Sequence, residues 1–377
     1  MKYRRLNRSD IDVSLLGLGC MRFPKIEDTQ KIDELKAQEI IDYAYTHGVN
    51  YFDTAFIYHE GLSEEFIGKA LKKYPRDTYM IADKMPGWLL NDASDVEKIF
   101  NTQLKRCDSG YFDFYLLHGV DDERFDDKYR KYKVIEFLEE MRKQGKIRHL
   151  GFSFHDTPEV LERVADAHDW DFAQIQLNYL DWDLQQARRQ YEVLKKRNIQ
   201  CIIMEPVRGG ALADLGDEAN GVLKKAEPDK SIASWAIRFA AGLENVLTVL
   251  SGMSNMEQVR DNVETVSNLE ELDDVKKSTL FNALEIYRKK DMVKCTHCNY
   301  CMDCPFGVNI PEVFAVYNRY LETLNRVEFL SAYDKIGQDH GADMCTKCNR
   351  CIQLCPQKIE IPTKLEKINE LVAKFKK

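Results

Sequence analysis

The sequence predicts an α/β protein: a (β/α)8 TIM barrel opened by an N-terminal hairpin, followed by a small α-rich region built around cysteines. Three observations carry that expectation. Strand and helix signals alternate from about residue 13 to residue 266, the pattern of a parallel sheet covered by helices. Three consecutive strand segments end on a side chain that can hold or move a proton, Asp53, Lys84 and His118, and strand ends are where barrels keep their chemistry. Of the 11 cysteines in 377 residues, most fall in two tight runs between residues 295 and 355, a ligand pattern rather than a disulfide framework. A doubly wound sheet is the competing arrangement, and no Gly-x-Gly-x-x-Gly follows the first strand segment to favour it.

Residues 2–14 read as a small polar hairpin turning at Asn7 to Asp10, ahead of a first inner strand at 13–20. The helix at 33–46 buries Ile40, Ile41 and Ala44, and Gly48 ends it. The second strand, 50–54, drops the Asp53 carboxylate at its end and delivers Tyr58 from the loop beyond. Ser63, with Glu64 and Glu65 behind it, reads as the cap of the next helix, and Ser94 with Glu97 as a capping box opening a third. The third strand, 79–84, ends on Lys84, and the fourth, 112–118, ends on His118. The helix at 131–144 buries Val134, Leu138 and Met141 before Gly145 stops it. A fifth strand at 147–154 leads to a helix entered through Thr157 and Pro158, a cap with proline in the first position. Strands six to eight fall at 172–179, 199–206 and 246–252. The stretch 207–230, rich in Gly and Asp, reads as the longest loop, and long loops in compact domains are usually functional. A composition shift near Leu269 leads into a helix to about residue 290, and another helix is expected at 311–324, between the cysteine runs.

With 44% hydrophobic and 31% charged residues the chain has an ordinary globular composition. Its formal net charge of −8 argues against a nucleic-acid partner, which would need clustered Lys and Arg outweighing the acids. The basic N-terminal residues have no apolar stretch behind them, and no apolar run approaches membrane-spanning length, so a cytoplasmic location and no membrane partner are expected.

Asp53, Tyr58, Lys84 and His118, met in that order with these strands around them, resemble the catalytic tetrad of the aldo-keto reductases. The resemblance covers about residues 3–266 and implies an oxidoreductase interconverting a small-molecule carbonyl and alcohol with NADP(H), NAD(H) being the alternative. In that family such a hairpin plugs the bottom of the barrel. The chemistry of the residue types agrees with the implied roles. Hydride addition to a carbonyl leaves an alkoxide that needs a proton, and a phenol with a pKa of about 10 is a poor donor at neutral pH unless a cation stabilises its phenolate. Lys84 is placed to be that cation, Asp53 to hold it, neutral His118 to direct the substrate oxygen, and Tyr58 to be the general acid in reduction and base in oxidation. Taken singly, each has a plainer reading as one of 18 tyrosines or 8 histidines in a core or loop, or as an Asp capping a helix.

The same resemblance marks cofactor segments. Ser153 and Gln174 would bond the nicotinamide carboxamide. Met204, Pro206, Arg208 and Gly209 after strand seven, and Gly252, Ser254, Gln258 and Asn262 after strand eight, would form the cradle, since barrels often grip phosphate there with a helix N-terminus. The chain departs from the common family pattern where Phe154 stands for Asn, Met204 for a stacking aromatic, and Gly252 and Gln258 for a Lys and Arg that grip the 2′-phosphate. Gly252-Met-Ser-Asn255 is closer to the branch that includes potassium-channel β subunits, and Arg208 and Arg260 are candidate substitutes for the missing cations.

Cys295-x-x-Cys298-x-x-Cys301-x-x-Cys304-Pro and Cys345-x-x-Cys348-x-x-Cys351-x-x-x-Cys355-Pro resemble the runs of bacterial two-cluster ferredoxins. Carried over, one [4Fe–4S] cluster takes Cys295, Cys298, Cys301 and Cys355, and the other takes Cys345, Cys348, Cys351 and Cys304. The first run is one residue short before its last cysteine, which bears on the reach of Cys304. Structural zinc on Cys-x-x-Cys pairs is the alternative. Cys20, Cys107 and Cys201 lie in or beside barrel elements, where inert buried thiols are the default.

The expected division is a barrel at 1–274 and a cluster domain at 275–377. Two rivals accompany the reductase reading: an enzyme fed by a redox protein partner through the clusters and a bound mediator, and a nucleotide-binding redox sensor or electron-transfer protein. Trp88 and Trp182, in loops after strands three and six, are candidate pocket-lining aromatics.

Overall fold

The computed structural model describes residues 1–27, 29, 31–288, 292–323 and 325–376. The chain forms two compact units, Met1–Pro206 with Ser234–Asp273, and Val207–Ala233 with Asp274–Lys377. The expected helix ends at 290 and 324 lie outside the described residues.

In the first unit eight parallel strands close into a barrel. They are β1 (Leu16–Gly19), β2 (Tyr51–Asp53), β3 (Met80–Pro86), β4 (Phe112–Val120), β5 (Ile147–Phe154), β6 (Phe172–Gln176), β7 (Gln200–Met204) and β8 (Val246–Ser251). Side chains alternate between the two faces of each strand. The inward set on β2 is therefore Tyr51 and Asp53, on β3 Ala82 and Lys84, and on β4 Phe114, Leu116 and His118. Tyr51, Ala82, Phe114, Leu116, Phe172, Ile202 and Leu247 fill the interior as one apolar cluster, and Leu6 and Val13 of the hairpin complete it. That is why the hairpin exists: strands Tyr3–Arg5 and Asp12–Ser14 pair antiparallel and carry these two apolar side chains into the barrel floor. The first inner strand is thus broken into a hairpin strand and β1, with the bend at Leu15, rather than running through 13–20.

Helices α1 (Glu34–Thr46), α2 (Leu62–Leu71), α3 (Ser94–Cys107), α4 (Val134–Lys143), α5 (Pro158–Asp166), α6 (Ala187–Lys196), α7 (Ile232–Ala241) and α8 (Met256–Ser267) follow the eight strands in turn. The Asp33 carboxylate caps α1 by accepting from Lys36 N, and the Thr157 hydroxyl caps α5 by accepting from Val160 N ahead of Pro158. Two expected caps are not caps. Gly61, in the left-handed region, starts α2, and the Ser63 hydroxyl is buried against Thr54 Oγ1 at 2.9 Å and the Cys20 carbonyl at 3.3 Å. Ahead of α3 it is Asp95 that gathers the amides of Asn91 and Asp92, while Ser94 accepts from Lys98 Nζ at 2.8 Å. Strand six also stops at Gln176, short of 179, because Asn178 and Asp181 tie the following residues into a turn.

The second unit is helical. Its core gathers Ile310, Phe314, Phe329 and Ile368 from three helices, with Val293 and Val308 from the non-helical stretches ahead of the first of them. The stretch 207–230 is not a plain loop: it contains helix Asp217–Ala226, which buries Ala219 and Leu223 and packs against helix Asp274–Arg288. None of the described helices is long and apolar enough to cross a membrane.

Candidate active site and cysteine clusters

The inward residues at the C-terminal ends of β2, β3 and β4 meet. Lys84 Nζ donates to Asp53 Oδ1 at 2.6 Å and to the Thr54 carbonyl at 2.7 Å, and stands 3.4 Å from the Tyr58 hydroxyl. Lys84 is 1% exposed and Asp53 3%, so this ion pair is out of water and little screened. The register pairs Asp53 with Ala82 and Lys84 with Leu116, so the carboxylate and ammonium reach the same depth from neighbouring strands. Tyr58 is half-buried on the turn Tyr58–Gly61, where His59 and Glu60 adopt left-handed conformations. Its ring lies edge-on to His118, centroids 6.2 Å apart, and the Trp88 ring lies 4.8 Å from His118 on the other side.

Burial first, and the Asp53 carboxylate next, push the Tyr58 phenol well above its ordinary range, so the unliganded site holds Tyr58 protonated. Burial also raises the Asp53 carboxyl, against the opposing pull of Lys84. Burial and then the Lys84 charge push His118 well below the usual imidazole range, leaving it neutral, as expected. Among the described residues His118 Nδ1 and Gln174 Oε1 are buried with no hydrogen-bond partner. Polar groups so placed are costly unless a ligand meets them.

The expected carboxamide contacts differ in readiness. Ser153 pairs with Gln174 across β5 and β6, but its hydroxyl already accepts from Gly119 N at 2.8 Å. Gln174 Nε2 reaches Met204 Sδ at 3.7 Å. After β8, Asn255 caps α8 by accepting from Gln258 N, the Gln258 side chain accepts from Ser254 N at 2.7 Å, and the Ser254 hydroxyl donates to the Arg22 carbonyl. Asn262 Nδ2 donates to Ser251 Oγ at 2.9 Å. A Cβ on Gly252 would lie 2.9 Å from the Arg22 side chain. Ser254, Asn255 and Gln258 therefore form one hydrogen-bonded helix entrance beside Gly252, Asn262 is tied separately to the end of β8, and Arg260 lies over the Tyr43 ring. Pro206 is buried beyond β7. Arg208 needs correction as a phosphate ligand: it is 1% exposed, and its guanidinium donates to the Lys294 carbonyl and to Gln357 within the second unit. Trp182 packs on Phe239 and Tyr191, centroids 5.4 and 6.0 Å away.

Sequence reasoning missed the support behind Lys84. Its neighbour Asp83 points to the outer face of β3, where it accepts from Lys84 N at 2.8 Å and faces Glu64 and Cys107, both buried, with Gln103 donating to Glu64 and to the Lys84 carbonyl. Burial, then the Glu64 charge, push the Asp83 carboxyl well above the carboxylate range. Strand alternation alone puts a carboxylate at 83 under the helices, and that was the signal to follow. Tyr129 was missed as well; its hydroxyl stands 2.7 Å from the His118 carbonyl and accepts from Gly87 N, bracing the turn that carries Trp88.

In the second unit the cysteines gather in two sets. The thiols of Cys295 and Cys301 each have Cys298 and Cys355 as electrostatic neighbours, and burial is the largest cause pushing Cys295 up to about 11. Cys351 has Cys345, Cys304 and Cys348 as neighbours, and burial likewise pushes it up to about 11. Cys304, Cys345, Cys348 and Cys351 line one cavity, closed on its apolar side by Ile310 and Leu365. Cys304 thus reaches the second run despite its shorter spacing. The donor chemistry, four thiols in each set, fits an iron–sulfur cubane. Cys20, Cys107 and Cys201 are buried in the barrel, as expected of inert thiols.

The aldo/keto reductase family pattern matches residues 15–280, and a 4Fe-4S dicluster domain pattern matches residues 294–360. The chain is 27% identical over 323 residues to the uncharacterized oxidoreductase YqkF of Bacillus subtilis, spanning 78% of this chain and 99% of that one. It is 25% identical over 292 residues to L-galactose dehydrogenase of Arabidopsis thaliana, 72% of this chain and 90% of the plant protein. Among solved structures, the holo form of aldo-keto reductase AKR11C1 from Bacillus halodurans superposes with a TM-score of 0.62 at 26% identity, covering 75% of this chain and 96% of that one. With its closed barrel, its strand-end polar cluster and the span of these matches, the chain belongs to the aldo/keto reductase family and carries a C-terminal 4Fe-4S dicluster domain.

Proposed function

We propose that the protein interconverts a small-molecule carbonyl and its alcohol with NADP(H), Tyr58 being the proton donor in reduction and the acceptor in oxidation. The observation that carries the reading is the Lys84 ammonium, bonded to Asp53 at 2.6 Å and 3.4 Å from the Tyr58 hydroxyl. The nicotinamide cofactor supplies or takes the hydride when bound. The protein's own residues handle the proton. Tyr58 carries its proton in the resting site; an alkoxide forming beside it would take that proton, and Lys84 would then hold the phenolate. Neutral His118 donates to the same oxygen and fixes its direction. Trp88 walls the pocket beside His118 and excludes water.

Gln174 and Ser153 would hold the carboxamide, with Met204 beside it and Pro206 and Gly209 in the turn that follows. The unpartnered Gln174 Oε1 supports this placement. The segment of Gly252, Ser254, Gln258 and Asn262 would receive phosphate, since it lies at the N-terminal end of α8, where the helix dipole favours an anion. In the same reading the barrel occupies about residues 1–274, and residues 275–377 hold two [4Fe–4S] clusters, one on Cys295, Cys298, Cys301 and Cys355 and one on Cys304, Cys345, Cys348 and Cys351. Those groups supply single-electron transfer when bound.

Tyr58→Phe tests the central role. It should lower turnover by ~10²–10⁴, the usual cost of a lost general acid, while nucleotide affinity measured by fluorescence titration stays close to that of the parent. Equal turnover in parent and variant would remove Tyr58 from the proton step.

A further inference from the structure

The turn that follows β7 has an unusual build. Arg208 sits in the left-handed region at φ 51°, a costly conformation for a residue with a side chain, and glycines at 209 and 210 share that region. The turn is held by what Arg208 touches. Nη1 donates to the carbonyl of Lys294 at 2.6 Å, and Nη2 donates to Gln357 Oε1 at 3.0 Å. Lys294 immediately precedes Cys295, and Gln357 lies two residues beyond Cys355. Gly209 presses on the same run: a Cβ there would lie 2.3 Å from the Thr296 carbonyl oxygen. One buried cation therefore bridges the two distant chain segments that bring Cys295 and Cys355 into one thiol set.

We propose that Arg208 is the clamp and charge-compensating residue of the cluster held by Cys295, Cys298, Cys301 and Cys355. The inference rests on the cluster assignment made above. Its physical basis is charge. One-electron reduction of a cubane with four thiolate ligands takes the net charge from about two negative to about three, and surrounding charge and burial set how readily that happens. Cys301 and Cys355 are buried, whereas Cys348 of the other set is exposed. Burial alone would make the first cluster the harder one to reduce; the Arg208 guanidinium offsets that penalty and fixes the ligand that crosses from the second run.

The test is a dithionite titration of the anaerobically prepared full chain, followed by paramagnetic resonance, for the parent, Arg208→Lys and Arg208→Gln. Cys298→Ser identifies which signal belongs to the first cluster. Arg208→Gln should shift the reduction equilibrium of that cluster about tenfold toward the oxidised form, about 59 mV for one electron, with Arg208→Lys recovering part of the shift and the second cluster unmoved. Loss of the first cluster alone in Arg208→Gln, with its retention in Arg208→Lys, would support the clamp equally. Unchanged potentials in both variants, an equal shift of both clusters, or weakened nucleotide binding with unchanged potentials would overturn it. A parent protein without two cluster signals would instead overturn the cluster assignment itself.

Discussion

Asp83 shows what a buried side chain one position from a functional one can do. It receives the Lys84 amide, which ties the backbone at the point where Lys84 enters the barrel, and burial with the neighbouring Glu64 raises its carboxyl well above the usual carboxylate range. The sign of its contribution follows from the raised carboxyl. Above the ordinary carboxylate value of about 3.9, and up to its own raised value, the folded protein binds a proton that the unfolded chain has released, so folding stability falls as pH rises through that interval. Asp83→Asn cannot titrate yet keeps an oxygen for the Lys84 amide. The variant should therefore gain stability relative to the parent as pH rises above the ordinary carboxylate value, read as urea midpoints at a series of pH values; a difference that does not change with pH would show that Asp83 does not carry the effect. At this scale the inward residues were legible, because Asp53, Lys84 and His118 stand at strand ends in chain order. Their protonation was less so. The upward shift of the Tyr58 phenol comes first from burial, which only the folded site reveals.

Helix entrances and helix contacts separate local signals from tertiary ones. Thr157 before Pro158 was readable because the cap is made entirely within four residues, whereas the cap expected at Ser63 failed because Thr54 and the Cys20 carbonyl, distant in sequence, claim its hydroxyl. Helix Asp217–Ala226 was hidden by flanking Gly and Asp, although Leu215, Ala219 and Leu223 recur at helical spacing. Glycine in a helix gives a matched pair of tests. In α2, a Cβ on Gly68 would lie 2.3 Å from the Cys107 carbonyl oxygen at the end of α3, so the two helices touch through that glycine. Gly68→Ala should destabilise the protein by about 1–3 kcal/mol through overpacking. Gly221, in helix Asp217–Ala226, has nothing within 4 Å of its added Cβ, and Gly221→Ala should stabilise by about 0.5–1 kcal/mol. Calorimetry on both decides the matter, and equal effects of the same sign would contradict the packing argument.

At the scale of the whole molecule, the alternation of strands and helices made the barrel legible, and the cysteine spacing made the second unit legible. The route of the chain between them was not. Residues 207–233 leave the barrel sequence after β7 and belong with 274–377, because Ala219 and Leu223 are buried against the helix Asp274–Arg288 and Arg208 is bonded beside Cys295. A chain shortened to end at 274 should therefore not behave as a free barrel: limited proteolysis should cut it rapidly within 207–233, at sites protected in the full protein. Equal resistance of the two would mean that this segment needs no partner. The interleaved order also shapes how the protein is made. On a ribosome adding about 5–20 residues per second, the 207–233 segment emerges seconds before the residues that cover it, and its apolar helix face stays bare in the meantime. On the proposed ligand assignment Cys295 would likewise wait for Cys355, so iron and sulfide delivered early would meet a thiol set still lacking a member, and cluster assembly would follow synthesis rather than accompany it.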